Sequence, residues 1–237
     1  MISSSLTPAT DPLRIPAGAG ALDGFRRWAR SPEFPETGRI DYLAGELEVE
    51  MSPEDLYTHG APKAEIAATL QELIARSGRG AVFVDRARVT VPEAGESGLS
   101  AEPDVTVVLW ESLDSGRVRE VPAAGAAPGR FVELQGPPDL IVEVVSDGSV
   151  TKDRERLPAL YAEAGVPELW LVDARGPRID FTVQSLAGAS YEKTFRRGEW
   201  LASPLLGREV RLTRSRAAAA RWSYRLESRF FQGGSAD

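Results

Sequence analysis

Apolar residues recur along this chain in two rhythms. Behind Pro62, Ile66, Leu70, Leu73 and Ile74 fall at spacings of three and four, and Ser77-Gly78 follows as a stop. That spacing predicts a helix with proline in its first turn. Leu157, Leu160, Tyr161 and Ala164 form a second such stripe, closed by Gly165. The other rhythm is short and strand-like. Ile40–Leu43 and Glu46–Val49 flank a turn at Gly45, and Val82–Val84 and Val89–Val91 read as a strand or strand pair ending at Pro92. Pro103–Trp110, Asp139–Val145 and Glu168–Asp173 are almost wholly apolar runs, and Ile179–Gln184 with Tyr191–Thr194 suggests a hairpin. Residues 92–100 and 111–129 read as loops. Strands alternating with helices predict a mixed α/β domain whose central strands are buried on both faces.

Composition narrows the chemistry. The chain has 237 residues, enough for one sizeable core, and a formal charge of −7. It has no cysteine and one histidine, His59. Thiolate and multi-histidine metal centres are excluded, so any metal is expected to be hard and held by oxygen. Acidity argues against coating nucleic acid by bulk charge. No run reaches the roughly 18–20 apolar residues of a membrane span, and the first residues do not read as a secretory signal, so a cytoplasmic location is expected. Residues 1–35 read as a loose arm with a short helix at Leu22–Arg30, residues 36–200 as the main domain, and residues 201–237 as an arginine-rich extension on or near it.

Two acids interrupt apolar strands. Glu143 sits inside "DLIVEVV", and Asp104 opens the run after Pro103. A carboxylate there is costly to desolvate without a partner. Glu143 either meets an arginine or faces a cleft as a metal ligand; Asp104 either caps a turn or completes a two-carboxylate magnesium site. Lys152 lies in the polar segment before the second helix, where an ammonium either reaches back to such a site or is solvated. Asp153 suits a helix cap. Tyr161 and Trp170 read as core.

The stretches "SAEPDVTVV", "PPDLIVEVVSDGSVTKDRERLPALYAEAGVPELWLVDARG" and "GELEVEMSPEDLYTHG…K" resemble the Uma-type (Uma-two) family of restriction-endonuclease-like proteins, within the PD-(D/E)XK nuclease superfamily. The likeness runs over about residues 39–183. It implies a restriction-endonuclease-like core, a curved mixed β-sheet flanked by helices, in residues 36–200. It also implies Asp104 and Glu143 as ligands of Mg²⁺ or Mn²⁺, the backbone carbonyl at Val144 as a further ligand, and Asp41 as an acid acting through water. The superfamily's usual lysine is replaced by Val145, and the alternative lysine from the following helix by Leu157. Lys152 is the nearest replacement, with Arg154 and Arg156 as fallbacks; a guanidinium stabilises charge but is a poor proton acceptor. His59 is either an accessory proton relay or a helix-start residue.

The resemblance implies a magnesium-dependent endonuclease cutting DNA. A nuclease fold that no longer cuts, acting as a binding or assembly module, is the alternative that Val145 and Leu157 suggest. A small-molecule hydrolase with an oxygen-ligated metal is a third. Arg208, Arg211 and Arg214 in the basic tail are candidates for a phosphate-contacting face. Strand Glu168–Asp173, if at a sheet edge, is one route to a homodimer.

Overall fold

The computed structural model describes residues 13–95, 97–218 and 221–231. Its strands are β1 (Arg39–Leu43), β2 (Glu46–Glu50), β3 (Gly80–Val84), β4 (Arg88–Val91), β5 (Leu99–Ala101), β6 (Val105–Leu109), β7 (Arg119–Pro122) and β8 (Phe131–Gln135). They continue with β9 (Leu140–Val144), β10 (Glu168–Asp173), β11 (Asp180–Ala187), β12 (Ser190–Lys193), β13 (Arg196–Arg197), β14 (Trp200–Ser203), β15 (Arg208–Ala218) and β16 (Arg221–Phe230). The helices are α1 (Leu22–Ala29), α2 (Ala61–Leu70), α3 (Trp110–Asp114) and α4 (Leu157–Ala164).

The central sheet runs β12-β11-β10-β9-β6-β3, with β9 and β10 parallel and the other neighbours antiparallel. A parallel pair needs a crossover, and α4 supplies it, ended by Gly165 at φ +83°. Period-two alternation sorts the side chains to two faces. Val105, Val107, Leu140, Val142, Val144 and Trp170 meet Ile66, Leu70 and Ile74 of the α2 region, together with Val210, Leu212, Tyr224 and Leu226. Ile141 and Leu169 face the other way, onto Leu157, Leu160 and Tyr161 of α4 and Leu43, Val89 and Leu99 of a second sheet. That sheet runs β2-β1-β5-β4-β8-β7.

Several expectations change. β3 and β4 do not pair with each other; β3 joins β6, and β4 joins β5 and β8. The expected loops contain β5, α3 and β7. In the arm expected over residues 1–35, the short helix expected at Leu22–Arg30 is α1, but it is packed rather than loose, with Phe25 and Trp28 buried beside Tyr42; residues 1–12 of the arm lie outside the described residues. Strand β10 is not at an edge: β9 and β11 cover both its sides, so it offers no pairing surface to another subunit. Among the described residues of the arginine-rich extension, β15 and β16 pair antiparallel and lie on the main domain, with apolar positions that alternate with the arginines closing over α2; residues 219–220 and 232–237 lie outside the described residues.

Candidate active site

The two strand acids meet through ladder register. Val105 pairs with Val142 in the antiparallel β6–β9 ladder, so one step further places Asp104 opposite Glu143. By strand alternation neither shares the face of Val105, Val142 and Val144, and each is 1% exposed. The Val144 amide donates to Asp104 Oδ2 at 2.7 Å, fastening the end of β9 to the acid.

Three cations surround Asp104. Arg39 Nη2 donates to Oδ1 at 2.9 Å, His59 Nε2 lies 3.3 Å from Oδ2, and Lys63 Nζ lies 3.6 Å from Oδ1. Burial alone would push this carboxyl up, but His59, Arg39 and Lys63 outweigh it and hold it below the usual range. Glu143 goes the other way. Burial, with the charges of Asp104 and Asp153, pushes it well above the usual range, against the pull of Arg39 and Tyr161. The Tyr161 hydroxyl donates to Glu143 Oε1 at 2.6 Å, and Glu143 Oε2 is buried without a hydrogen-bond partner. Asp153 is raised to about 6, chiefly by burial. Ser149 donates to one of its oxygens, and the other has no partner.

Lys152 and Asp153 lie on a π-helical turn, Lys152–Arg156, at the entrance to α4. A second π turn, Leu56–Gly60, precedes α2 and carries His59. Single π turns of this kind are frequent at functional sites. Asp55 caps the second turn by accepting from the amides of Tyr57 and Thr58 at 2.9 and 2.7 Å. Glu54, just ahead of it, lies 3.0 Å from His59 Nδ1 and accepts from Lys63 at 2.9 Å. Burial disfavours the charged imidazole, yet Asp104 and Glu54 raise its pKa to about 9. The same contact with His59, against burial, lowers Glu54 to about 2. Lys63 also donates to Asp85 at 2.9 Å. Asp85 has φ +51° and Arg86 +47°, a sparsely used conformation for non-glycine residues.

The sequence candidates divide into those inside this cluster and those outside it. Asp41 is buried nearby and accepts from the Glu102 amide at 3.0 Å. The Lys152 amine pairs with Asp41 at 3.5 Å and Glu50 at 3.1 Å, so it stands on the Asp41 side, while the lysine beside Asp104 is Lys63. Arg154 pairs with Asp173 and Asp180, and Arg156 with Glu46 and Glu48. Val145 and Leu157 are fully buried apolar positions. Arg208 stacks on Phe230; Arg211 pairs with Glu227 and Glu199; Arg214 donates to the carbonyls of Ala174 and Gly176. Arg39, Glu54, Lys63, Asp85, Asp153 and Tyr161 were not singled out for this role by the sequence pattern. Asp153 carried a signal as an acid closely following the Glu143 strand, and Glu54 and Lys63 lie in the stretch "GELEVEMSPEDLYTHG…K" without having been given a role.

A recess lined by Arg39, Glu50, Met51, Glu54, Asp85 and Glu102 opens toward the cluster, and a neighbouring one shares Glu50, Met51 and Ser52 and reaches Lys152. The residues fit a divalent cation. Carboxylate oxygens of Glu143 and Asp153 are buried and unpartnered, and ligand atoms of Glu54, His59 and Asp104 lie within 4.8 Å of one another.

The model of the Uma2 family, described as "Putative restriction endonuclease", matches residues 22–215. The chain belongs to the Uma2 family. Among solved structures, this Uma2 chain is similar to one described as a putative nuclease belonging to DUF820, from Anabaena variabilis. The identity is 18%, the TM-score 0.57, and the match covers 78% of this chain and 90% of that one. The likeness shows a restriction-endonuclease-like fold. No curated protein matches the Uma2 chain.

Proposed function

We propose that this Uma2 protein is a divalent-cation-dependent endonuclease that hydrolyses DNA phosphodiester bonds. The observation that carries the reading is the juxtaposition of Asp104 and Glu143 on one dry face, with a Glu143 oxygen left without a partner. Asp104, Glu143 and the Val144 carbonyl would hold Mg²⁺ or Mn²⁺, with Asp41 acting through water. A cation so held lowers the pKa of a water molecule and offsets charge developing on the phosphoryl group.

The chain's own groups prepare the site. Arg39 and Lys63 keep Asp104 ionised. Tyr161 fixes the orientation of Glu143. Lys152, held by Asp41 and Glu50, offers an ammonium at the recess wall, where it orients an entering phosphate or water. Plasmid and single-stranded DNA incubated with Mg²⁺ or Mn²⁺ provide the test. Cleavage is expected to stop with a chelator and to fall at least about a thousandfold in Glu143→Ala. Cleavage that persists in that variant overturns the assignment.

A second reading is favoured by Val145 and Leu157. Both familiar lysine positions are packed into the core. In that reading the fold binds a cation and a partner without cutting. Cation binding with no cleavage of either DNA form would select it.

A further inference from the structure

His59 differs from the other two cations around Asp104. Arg39 and Lys63 only donate, whereas a neutral imidazole presents a lone pair as well as an N–H. The ring is held edge-on between two carboxylates: Nδ1 lies 3.0 Å from Glu54 Oε2, and Nε2 lies 3.3 Å from Asp104 Oδ2. The ring is 3% exposed, and its Nδ1 lacks an aligned hydrogen bond despite the short approach to Glu54. Glu54 lines the recess, and Asp104 is buried on the other side of the ring. In metal centres, an outer carboxylate on one ring nitrogen fixes the tautomer, and the other nitrogen points its lone pair at the ion. Adjacent ligands of an octahedral ion lie roughly 3 Å apart. The Nε2–Oδ2 separation matches that spacing. The backbone under the ring is also pinned, because Asp55 caps the turn that carries it.

We propose that His59 Nε2 is a cation ligand beside Asp104, with Glu54 as the outer residue that orients the ring. A nitrogen donor makes the centre favour Mn²⁺ over Mg²⁺, because Mg²⁺ takes oxygen ligands while a transition metal accepts imidazole. The inference rests on the reading of Asp104 and Glu143 as the cation-holding pair. It replaces an all-oxygen centre with a mixed one, and it gives the chain's single histidine a specific task.

The test uses the full chain stripped of metal. Spin-echo electron paramagnetic resonance of Mn²⁺ bound to the wild-type protein is expected to show ¹⁴N coupling from a directly bound imidazole, with no variant needed. Calorimetry is expected to show Mn²⁺ binding at least tenfold tighter than Mg²⁺. His59→Asn should weaken Mn²⁺ at least tenfold while leaving Mg²⁺ within threefold. Glu54→Gln should weaken Mn²⁺ by roughly 10–100-fold, the usual effect of removing an outer-shell partner. Mn²⁺ that binds through Glu143 without ¹⁴N coupling overturns the histidine assignment and leaves the cation-dependent reading intact. Equal weakening of both cations in His59→Asn overturns the claimed preference. If neither cation binds the wild-type protein, both readings are overturned.

Discussion

At the residue scale, the centre is a set of charges that offset one another. Asp104 is held ionised by three cations, while Glu143 beside it is pushed toward its neutral form. This has a sign in stability. His59 titrates at about 9 in the folded chain, against an ordinary value near 6.5, so the fold binds that proton more tightly than the unfolded chain. The stabilisation is complete below about pH 6.5 and is lost as pH rises through about 9. In the presence of a chelator, the thermal midpoint is therefore expected to fall between pH 7 and 9. The fall should be shallower in His59→Asn, as followed by circular dichroism. Asp104 and Glu143 were legible as candidates because an acid in an apolar strand needs a reason to be there. Arg39 was not, since an arginine opening a strand looks like an ordinary surface residue until the register is known, and Lys63, though one of only three lysines, had no role assigned until its place beside Asp104 was seen.

At the element scale, the two π turns do the positioning. One presents His59 and follows Glu54; the other presents Lys152 and Asp153. Hydrophobic period reveals a helix but not an extra residue in its first turn, so these turns had no signature in the sequence beyond Asp55 and the charged run at 152–156. Asp55→Ala removes the cap that holds the first turn. Loss of such a cap costs about 1 kcal/mol, and a urea titration should show a lowered midpoint with an unchanged slope. Cation affinity should fall as well, because Glu54 and His59 flank the lost cap. Helices α2 and α4 and the apolar strands β6, β9 and β10 were readable from the run of apolar positions, whereas the longest strands, β15 and β16, were not. Strands β5 and β7 were not: Leu-Ser-Ala and Arg-Glu-Val-Pro are too short and mixed to stand out from loops, and their neighbours in the sheet define them.

At the scale of the whole molecule, charge limits how a phosphate polymer can approach. The recess presents Glu50, Glu54, Asp85 and Glu102, balanced only in part by Arg39 and Arg86. In the tail, Arg211 and Arg214 are occupied by partners in their own chain. Affinity for DNA should therefore be low without a divalent cation at about 0.15 M salt, and should rise at least tenfold when Mn²⁺ or Mg²⁺ is added. Fluorescence anisotropy with a labelled duplex measures this; cation-independent binding would place the DNA surface elsewhere. No helix among the described residues is long and apolar enough to cross a membrane. The tail was legible as basic but not as core, since the arginines masked the alternating Val210, Leu212, Tyr224 and Leu226 that close the fold over α2.

The meeting of Asp104 and Glu143 by counting along a ladder also governs where the chain tolerates a change of length. One residue inserted into β6 directly after Val105, with the rest of the ladder held, would turn Asp104 toward the face of Ile66 and Trp170 and put Val105 opposite Glu143. Residues 123–129 lie outside the strands, in the turn between β7 and β8, and Ala124 there donates to the Arg30 carbonyl after α1. The connection between the two acids can thus grow or shrink at that tip beyond Ala124, while a single added residue in the strand itself dismantles the centre. Tolerance of insertion and intolerance of it sit within about twenty residues of each other along the same chain, and the boundary between them is the first ladder pair.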